Sequence, residues 1–336
     1  MDQQQTVTAK APELLTVSPS PHARHSATTA SIMKEVFIAL LPATIWGIYI
    51  FGAPAAIVVF TCILSCVAFE ALTQLILKRP VTITDCSAAV TGLLLGLNLS
   101  PSVPIYVPIV GSAFAIIVVK QLFGGLGKNF LNPALAARVF LMLTWADKMA
   151  SFPAAYDREF DAVASATPLA SLKAGELAEG TSLYDLFLGQ TGGCIGEISV
   201  LMLLIGGIYL IVRKIITWHI PVAFLGTVAI LTFLFPVGGA ADLAERLTFM
   251  TASLCTGGIM IGAFFMATDY VTSPVTNTGR LIFGVGCGLL VVMIRFFGSY
   301  NEGVSFAILI MNALVWYIDM VTKPRVFGKS RKKQKA

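Results

Sequence analysis

"EVFIALLPATIWGIYIFGAPAAIVVFTCILSCVAFEALTQLIL", residues 35–77, contains Glu35 and Glu70 and no basic residue. It divides around Gly52 and Pro54 into two apolar runs, 35–52 and 54–77. Each is close to the roughly 20 residues a helix needs to cross a bilayer. Lipid offers no partner for backbone polar groups, so such runs are helical. Further runs follow at 85–100, 104–121, 132–146, 195–212, 215–236, 248–267, 279–295 and 303–322. The expectation is an all-α integral membrane protein with about ten transmembrane helices. Composition agrees: 12% of residues are charged, against about 25% in soluble domains. The net charge of +5 implies no nucleic acid, because the basic residues gather at the ends of apolar runs.

Lysine and arginine also orient the chain. With the N-terminus in the cytoplasm, 17 of the 23 basic residues fall on the inner side, seven of them between Lys323 and Lys335. The outer loops keep Lys148, Arg158, Lys173, Arg246 and Arg295, and Arg138 stays within a span. The expected organisation is a cytoplasmic arm (1–33) with no cleavable signal peptide, a first five-helix half (34–146), an acidic outward loop (147–194), a second five-helix half (195–322) and a basic cytoplasmic tail (323–336). Lipid is the surrounding partner.

Three spans are weak. The third is short and closes on Asn98 and Pro101, the fifth carries Arg138, and the eighth runs into "MATDYVTSPVTNT". Interrupted spans are where membrane proteins build cavities. There is also an internal echo. "TGLLLGLNL…FGGLGKNFLNPALAARVF" and "GGIMIGAFFMATD…FFGSYNEGVSFAILIMNA" share an order of small-residue span, further span, Gly/Asn-rich break and helix. Five spans per half make the halves inverted repeats. Chance similarity between Gly-rich helices is the competing explanation.

"FGGLGKNFLNP", 123–133, lacks the Ser or Thr that a phosphate loop needs after its lysine, and has no preceding strand. It reads as a turn, with Asn129 and Asn132 as candidate cavity residues. Glu70, Asp85, Glu197, Asp269 and Asp319 lie in or near spans, where an ionisable group needs a cavity or a partner. Asp319, beside the basic tail, reads as interfacial. Asp269 sits among Thr268, Thr272, Ser273 and Thr276; these groups can hold a polar ligand or satisfy an unwound backbone. Gly258/Gly262 and Gly284/Gly288 have close-packing spacing. No His, Cys, Asp or Glu set has zinc spacing, and Cys62 and Cys66 read as buried thiols.

The longest loop contains "DAVASATPLA", 161–170. Thr167 before Pro168 is a helix N-cap pattern, opening a short helix "LASLKA" ended by Gly175. Proline also biases the preceding residue toward extended geometry, which presents the Thr167 hydroxyl among small neighbours.

"SPHARHSATTASIMKEVFIALLPATIWGIYIFG", "DCSAAVTGLLLGLNLSP", "FGGLGKNFLNPA" and "FFMATDYVTSP" together resemble the D-subunit family of Rnf electron-transport complexes. That family is related to the B subunit of sodium-translocating NADH:quinone reductase. The resemblance spans about residues 19–322. It implies a membrane flavoprotein in a bacterial cytoplasmic membrane, with FMN joined covalently to Thr167 by a phosphoester. The family pattern is D-x-x-S/T-G-A-T: Asp161 and Ala166 match, while Ala164 and Ser165 depart from it. The implied cofactor-binding set is Thr167, Asp161 and Ser165, with Asp269 and Thr272 as the polar-ligand candidates noted above. Lys173 or Arg158 would offset the phosphate charge. The implied role is electron relay in a complex coupling ferredoxin:NAD oxidoreduction to Na+ or H+ transport. The chain would be one subunit of such a translocase rather than a complete enzyme, with no NAD site of its own. Implied partners are the A, B, C, E and G subunits and a flavin transferase. A second, unattached flavin such as riboflavin is implied by the relative, with no residue here marking its site. The reading from a different class is a stand-alone channel or transporter.

Overall fold

The computed structural model describes residues 27–156, 167–175, 182–237, 242–298, 300 and 302–324, and no β-strand occurs among them. Helix α1 (Thr29–Phe51) starts where the Thr28 hydroxyl accepts the Ser31 N–H at 3.2 Å. It stops at Gly52, whose φ of +73° breaks the helix and suits a residue without Cβ. Helix α2 (Ala53–Ile76) follows with Pro54 in its first turn, where a missing N–H costs nothing. Next come α3 (Ser87–Leu97), α4 (Tyr106–Ala113) continuing as a π-helical turn to Gln121, α5 (Pro133–Thr144) and α6 (Ala146–Met149). The loop then holds α7 (Pro168–Lys173) and α8 (Leu183–Leu188). In α8, the Ser182 hydroxyl and amide hold the Asp185 carboxyl below the usual carboxylate range. The remainder is α9 (Val200–Val212), α10 (His219–Leu234), α11 (Leu243–Cys255), α12 (Ile259–Ile261, continued by a π turn to Met266), α13 (Asn277–Phe297) and α14 (Val304–Thr322).

Among the described residues four helices, α1, α2, α13 and α14, are long and apolar enough to cross a membrane. A fifth span is formed if α11 and 259–266 are taken together across a 62° bend. The other five expected spans are apolar helices of 10–17 residues. Exposed Ile45, Phe60, Leu64, Leu75, Met293 and Trp316 coat the long helices with apolar surface, as a hydrocarbon environment requires.

Two expected spans differ from the sequence reading. The run 248–267 is interrupted at 256–258, and 195–212 is helical only from Val200. The unwound stretch before α9 meets the unwound end of α3. Ile195 N–H donates to Leu99 O at 3.1 Å and Gly196 N–H to Leu97 O at 2.8 Å. Each stretch thus supplies the backbone partners that lipid cannot.

Glycines set the helix contacts. A methyl on Gly284 would lie 2.7 Å from Ala223 Cβ, and one on Gly288 2.7 Å from Thr227 Cβ, so the 284/288 pair seats α13 on α10 as the spacing suggests. On α9, a methyl on Gly206 would fall 2.1 Å from the Ala39 carbonyl oxygen of α1. Backbone cannot yield cheaply there. Gly206→Ala is therefore expected to cost about 1–3 kcal/mol, read as a lower melting temperature of the purified chain in detergent.

Candidate cofactor cleft and the buried charge cluster

Thr167 is the N-cap of α7. It is extended (φ −67°, ψ 149°), and its hydroxyl oxygen accepts the Ala170 N–H at 3.4 Å. Leu169 and Leu172 anchor α7 by burial, and Leu172 joins a small core with Leu186, Phe249 and Ala252. Lys173 Nζ donates to Gly298 O at 2.7 Å and to Tyr300 O at 3.4 Å. This lysine docks the helix on the α13–α14 link; the phosphate-balancing role suggested by sequence meets a side chain already engaged. Arg158, Asp161 and Ser165 lie outside the described residues.

Half-buried Thr167 lines a cleft of about 540 Å³ with Phe152, Gly192, Gly193, Gly257, Glu197 and Glu302. Gly257 has φ +67°, and a methyl there would lie 2.5 Å from Arg295 Nη2, so this wall stays flat. Two carboxylate oxygens of the lining, Glu197 Oε2 and Glu302 Oε1, are buried without a hydrogen-bond partner among the described residues. Flat glycine walls and unmet acceptors fit a planar group bearing N–H and O–H donors.

Behind this lining, three chain breaks converge on Arg138 of α5 and a fourth lies beside them. Arg138 donates to Asn98 Oδ1 at the end of α3, to Cys194 Sγ (3.3 Å) before α9, and to Glu302 before α14. Glu197 Oε2 is 3.7 Å away. The fourth break, 256–258, is held by Arg295, whose Nη1 and Nη2 donate to Ser253 O (3.1 Å) and Thr256 O (3.0 Å). Arg138 is 3% exposed, Glu197 9% and Glu302 12%. Burial pushes the Glu302 carboxyl above its ordinary range, against the opposing pull of Arg138. Arg138 was visible as an intramembrane charge. Glu302 carried no local signal, because its partner is 164 residues away.

The other polar candidates line a second, mostly apolar cavity of about 780 Å³, formed by the starts of α1, α3 and α5 and the ends of α4, α9 and the 259–266 segment. Asn129, Asn132, Lys120, Thr268 and Asp269 face it. Asn132 caps α5 by accepting from Ala134 and Leu135 N–H, so the 123–133 turn and its cavity role both hold. Asp269 Oδ2 accepts from Thr272 at 3.0 Å. This cavity shares no lining residue with the Thr167 cleft, so the structure separates Asp269 from Thr167. Glu70 finds its partners in Lys120 Nζ, 2.9 Å, and Gln121 Nε2, 2.9 Å. Lys120 and Arg295 are thus interior groups, not loop charges. Asp319 accepts the Val275 N–H at 3.1 Å, a link between chain segments. Cys62 and Cys66 are buried.

Comparison with known proteins places this geometry. The chain is 51% identical to the D subunit of the Na(+)-translocating ferredoxin:NAD(+) oxidoreductase complex of Acetobacterium woodii, covering 96% of this chain and 98% of that one. It is 42% identical to the D subunit of the proton-translocating ferredoxin:NAD(+) oxidoreductase complex of Clostridium ljungdahlii, covering 95% and 97%. It is 39% identical to the D subunit of the ion-translocating oxidoreductase complex of Stutzerimonas stutzeri, covering 89% and 92%. The model of the NQR2, RnfD, RnfE family matches residues 16–328, and the chain belongs to that family.

Proposed function

We propose that this chain is the D subunit of an ion-translocating ferredoxin:NAD+ oxidoreductase complex and relays electrons through FMN esterified to Thr167. The observation that carries the reading is the placement of Thr167: an extended N-cap threonine, half-buried, on the wall of a cleft lined by glycines and buried carboxylates. An ester at Oγ1 keeps that oxygen available to the helix start. A bound flavin supplies one- and two-electron chemistry there. The chain's own residues confine it: α7 is docked by Lys173, and Gly192, Gly193 and Gly257 leave room for a ring. The larger cavity at the opposite end suits a second, unattached flavin such as riboflavin. The A, B, C, E and G subunits would exchange electrons with these sites, and a flavin transferase would form the ester.

The same reading gives two inverted five-helix halves in a bacterial cytoplasmic membrane, with both termini inside and the 147–194 loop outside. Two features support the pseudosymmetry. The α4 segment ends in buried Lys120, a Gly/Asn-rich break and α5; α13 ends in buried Arg295, the 298–303 link and α14.

The test is flavin fluorescence on the denatured chain, produced in a host that has the transferase. The wild-type band is expected to fluoresce and Thr167→Ala to be dark. A dark wild-type band, or a fluorescent Thr167→Ala band, overturns the reading, and solute movement by the chain alone in liposomes favours a transporter.

A further inference from the structure

Arg295 carries a buried charge without a counter-ion at hand. It is 2% exposed and sits in the last turn of α13. Nη1 donates to Ser253 O at 3.1 Å and Nη2 to Thr256 O at 3.0 Å, and both acceptors are neutral carbonyls. Nε is buried with no hydrogen-bond partner among the described residues. Among those residues no carboxylate lies within ion-pair distance of the guanidinium. Glu197 and Glu302 are turned to Arg138 and act on Arg295 only from farther away. Burial also raises the Glu302 carboxyl, which weakens it as a counter-ion. The carbonyls at the negative end of α11 explain the two hydrogen bonds. They do not explain a full charge: a neutral amide can donate to carbonyls too, and a buried charge is costly unless paired.

The guanidinium lies directly behind the cleft wall. Thr256 and Gly257 line the cleft together with Thr167 and Leu169. A methyl built on Gly257 would lie 2.5 Å from Arg295 Nη2 and 3.0 Å from Leu169 Cδ2. The charge, the cleft wall and the first turn of α7 therefore meet at one point. Gly257, at φ +67°, brings no side chain between them. The missing negative charge thus has a place to come from, the occupant of the cleft.

We infer that Arg295 is a positioning residue for the redox step in this cleft: its charge, one backbone thickness behind Gly257, favours the reduced form of the group carried on Thr167. The inference rests on the flavin ester proposed above. Reduction brings that group one electron from a partner subunit's redox centre, and no bond in this chain forms or breaks. The guanidinium attracts the added negative charge, and burial keeps salt from screening the attraction. At a separation of roughly 10 Å and an effective dielectric of about 20, one unit charge shifts the equilibrium for adding one electron about tenfold. A proton taken from cleft water with the electron would cancel the added charge, so the effect is largest where the electron arrives alone. The two carbonyl bonds hold the guanidinium in place. One residue then both fixes the 256–258 break and sets the field in the cleft.

The experiment is a redox titration of the purified full chain in detergent, made in a host that has the transferase. Flavin absorbance is followed at alkaline pH, where a compensating proton is scarcest. Flavin fluorescence on the denatured band is read first. A dark wild-type band overturns the flavin ester, and the inference with it, before any potential is measured; in loaded chains the potential tests Arg295 alone. Arg295→Gln is expected to lower the midpoint potential by about tenfold in the one-electron equilibrium, or ~59 mV. Arg295→Lys should keep most of the wild-type potential, because it keeps the charge. Arg213→Gln, which removes an exposed guanidinium paired with Glu35, should leave the potential unchanged. Arg295→Met replaces Arg295→Gln if the latter fails to fold. An unchanged potential in the neutral variant overturns the inference. So does a full fall in Arg295→Lys, which would trace the effect to a loosened break rather than to charge, and that comparison stands even if neither neutral chain folds.

Discussion

Arg138→Met is expected to destabilise the folded chain by about 3–5 kcal/mol, the usual result of removing one partner from a buried charge pair. Three acceptors lose their donor together: Asn98 Oδ1, Cys194 Sγ and Glu302 Oε2. Those acceptors sit on the end of α3, the stretch before α9 and the link before α14, so the loss is spread across chain breaks rather than confined to one helix. Arg138→Lys should recover little. A lysine is a point charge on a flexible stem and cannot reproduce the planar fork that bonds several partners at once. The double variant Arg138→Met/Glu302→Gln should be more stable than Arg138→Met alone, because it no longer leaves that carboxylate buried without its cation. Melting curves in detergent give all four values. An Arg138→Met chain as stable as wild type would show that the cluster contributes no net stabilisation.

Much of the fold is legible because its signals are local. The apolar runs at 35–52 and 54–77 become α1 and α2, separated at Gly52 as their sequence suggests. Thr167 and Pro168 make the expected cap, with α7 ending at Lys173 and Gly175 at φ +92°. The glycine, asparagine and proline of 123–133 turn the chain and cap α5. What the sequence hides is non-local. Nothing within "TGGCIGEISV" separates a helix from an extended stretch; the decision is made by Leu97 and Leu99, whose carbonyls accept from Gly196 and Ile195. The break at 256–258 is stabilised by Arg295, about forty residues on. Glu302 lies in a short link that reads as solvent-exposed until Arg138 is placed against it. Such pairings have no period and no motif. Only an intramembrane arginine with no evident partner hints that one exists.

Lys120→Met is the second change with a large expected effect, again about 3–5 kcal/mol, and here a double-mutant cycle separates charge from packing. Lys120 Nζ contacts Glu70 at 2.9 Å and Ser87 Oγ at 2.7 Å. Both members of the pair are essentially buried, at 2% and 1% exposure. Removing the lysine leaves Glu70 with two amide donors, Gln121 Nε2 at 2.9 Å and Gln74 Nε2 at 3.4 Å, both on Oε1; they do not neutralise its charge, and Oε2 loses the lysine that donated to it. Glu70→Gln in the Lys120→Met background removes the charge and keeps the shape, so the double variant should regain most of the lost stability. The expected coupling is therefore at or above the upper end of the roughly 0.5–3 kcal/mol seen for residues in one network. Glu70→Gln alone should be costly as well, since it strands a buried ammonium. If the two single losses simply add, Lys120 and Glu70 contribute as independent packing groups, and the pair is not an electrostatic unit joining α2 to the end of α4.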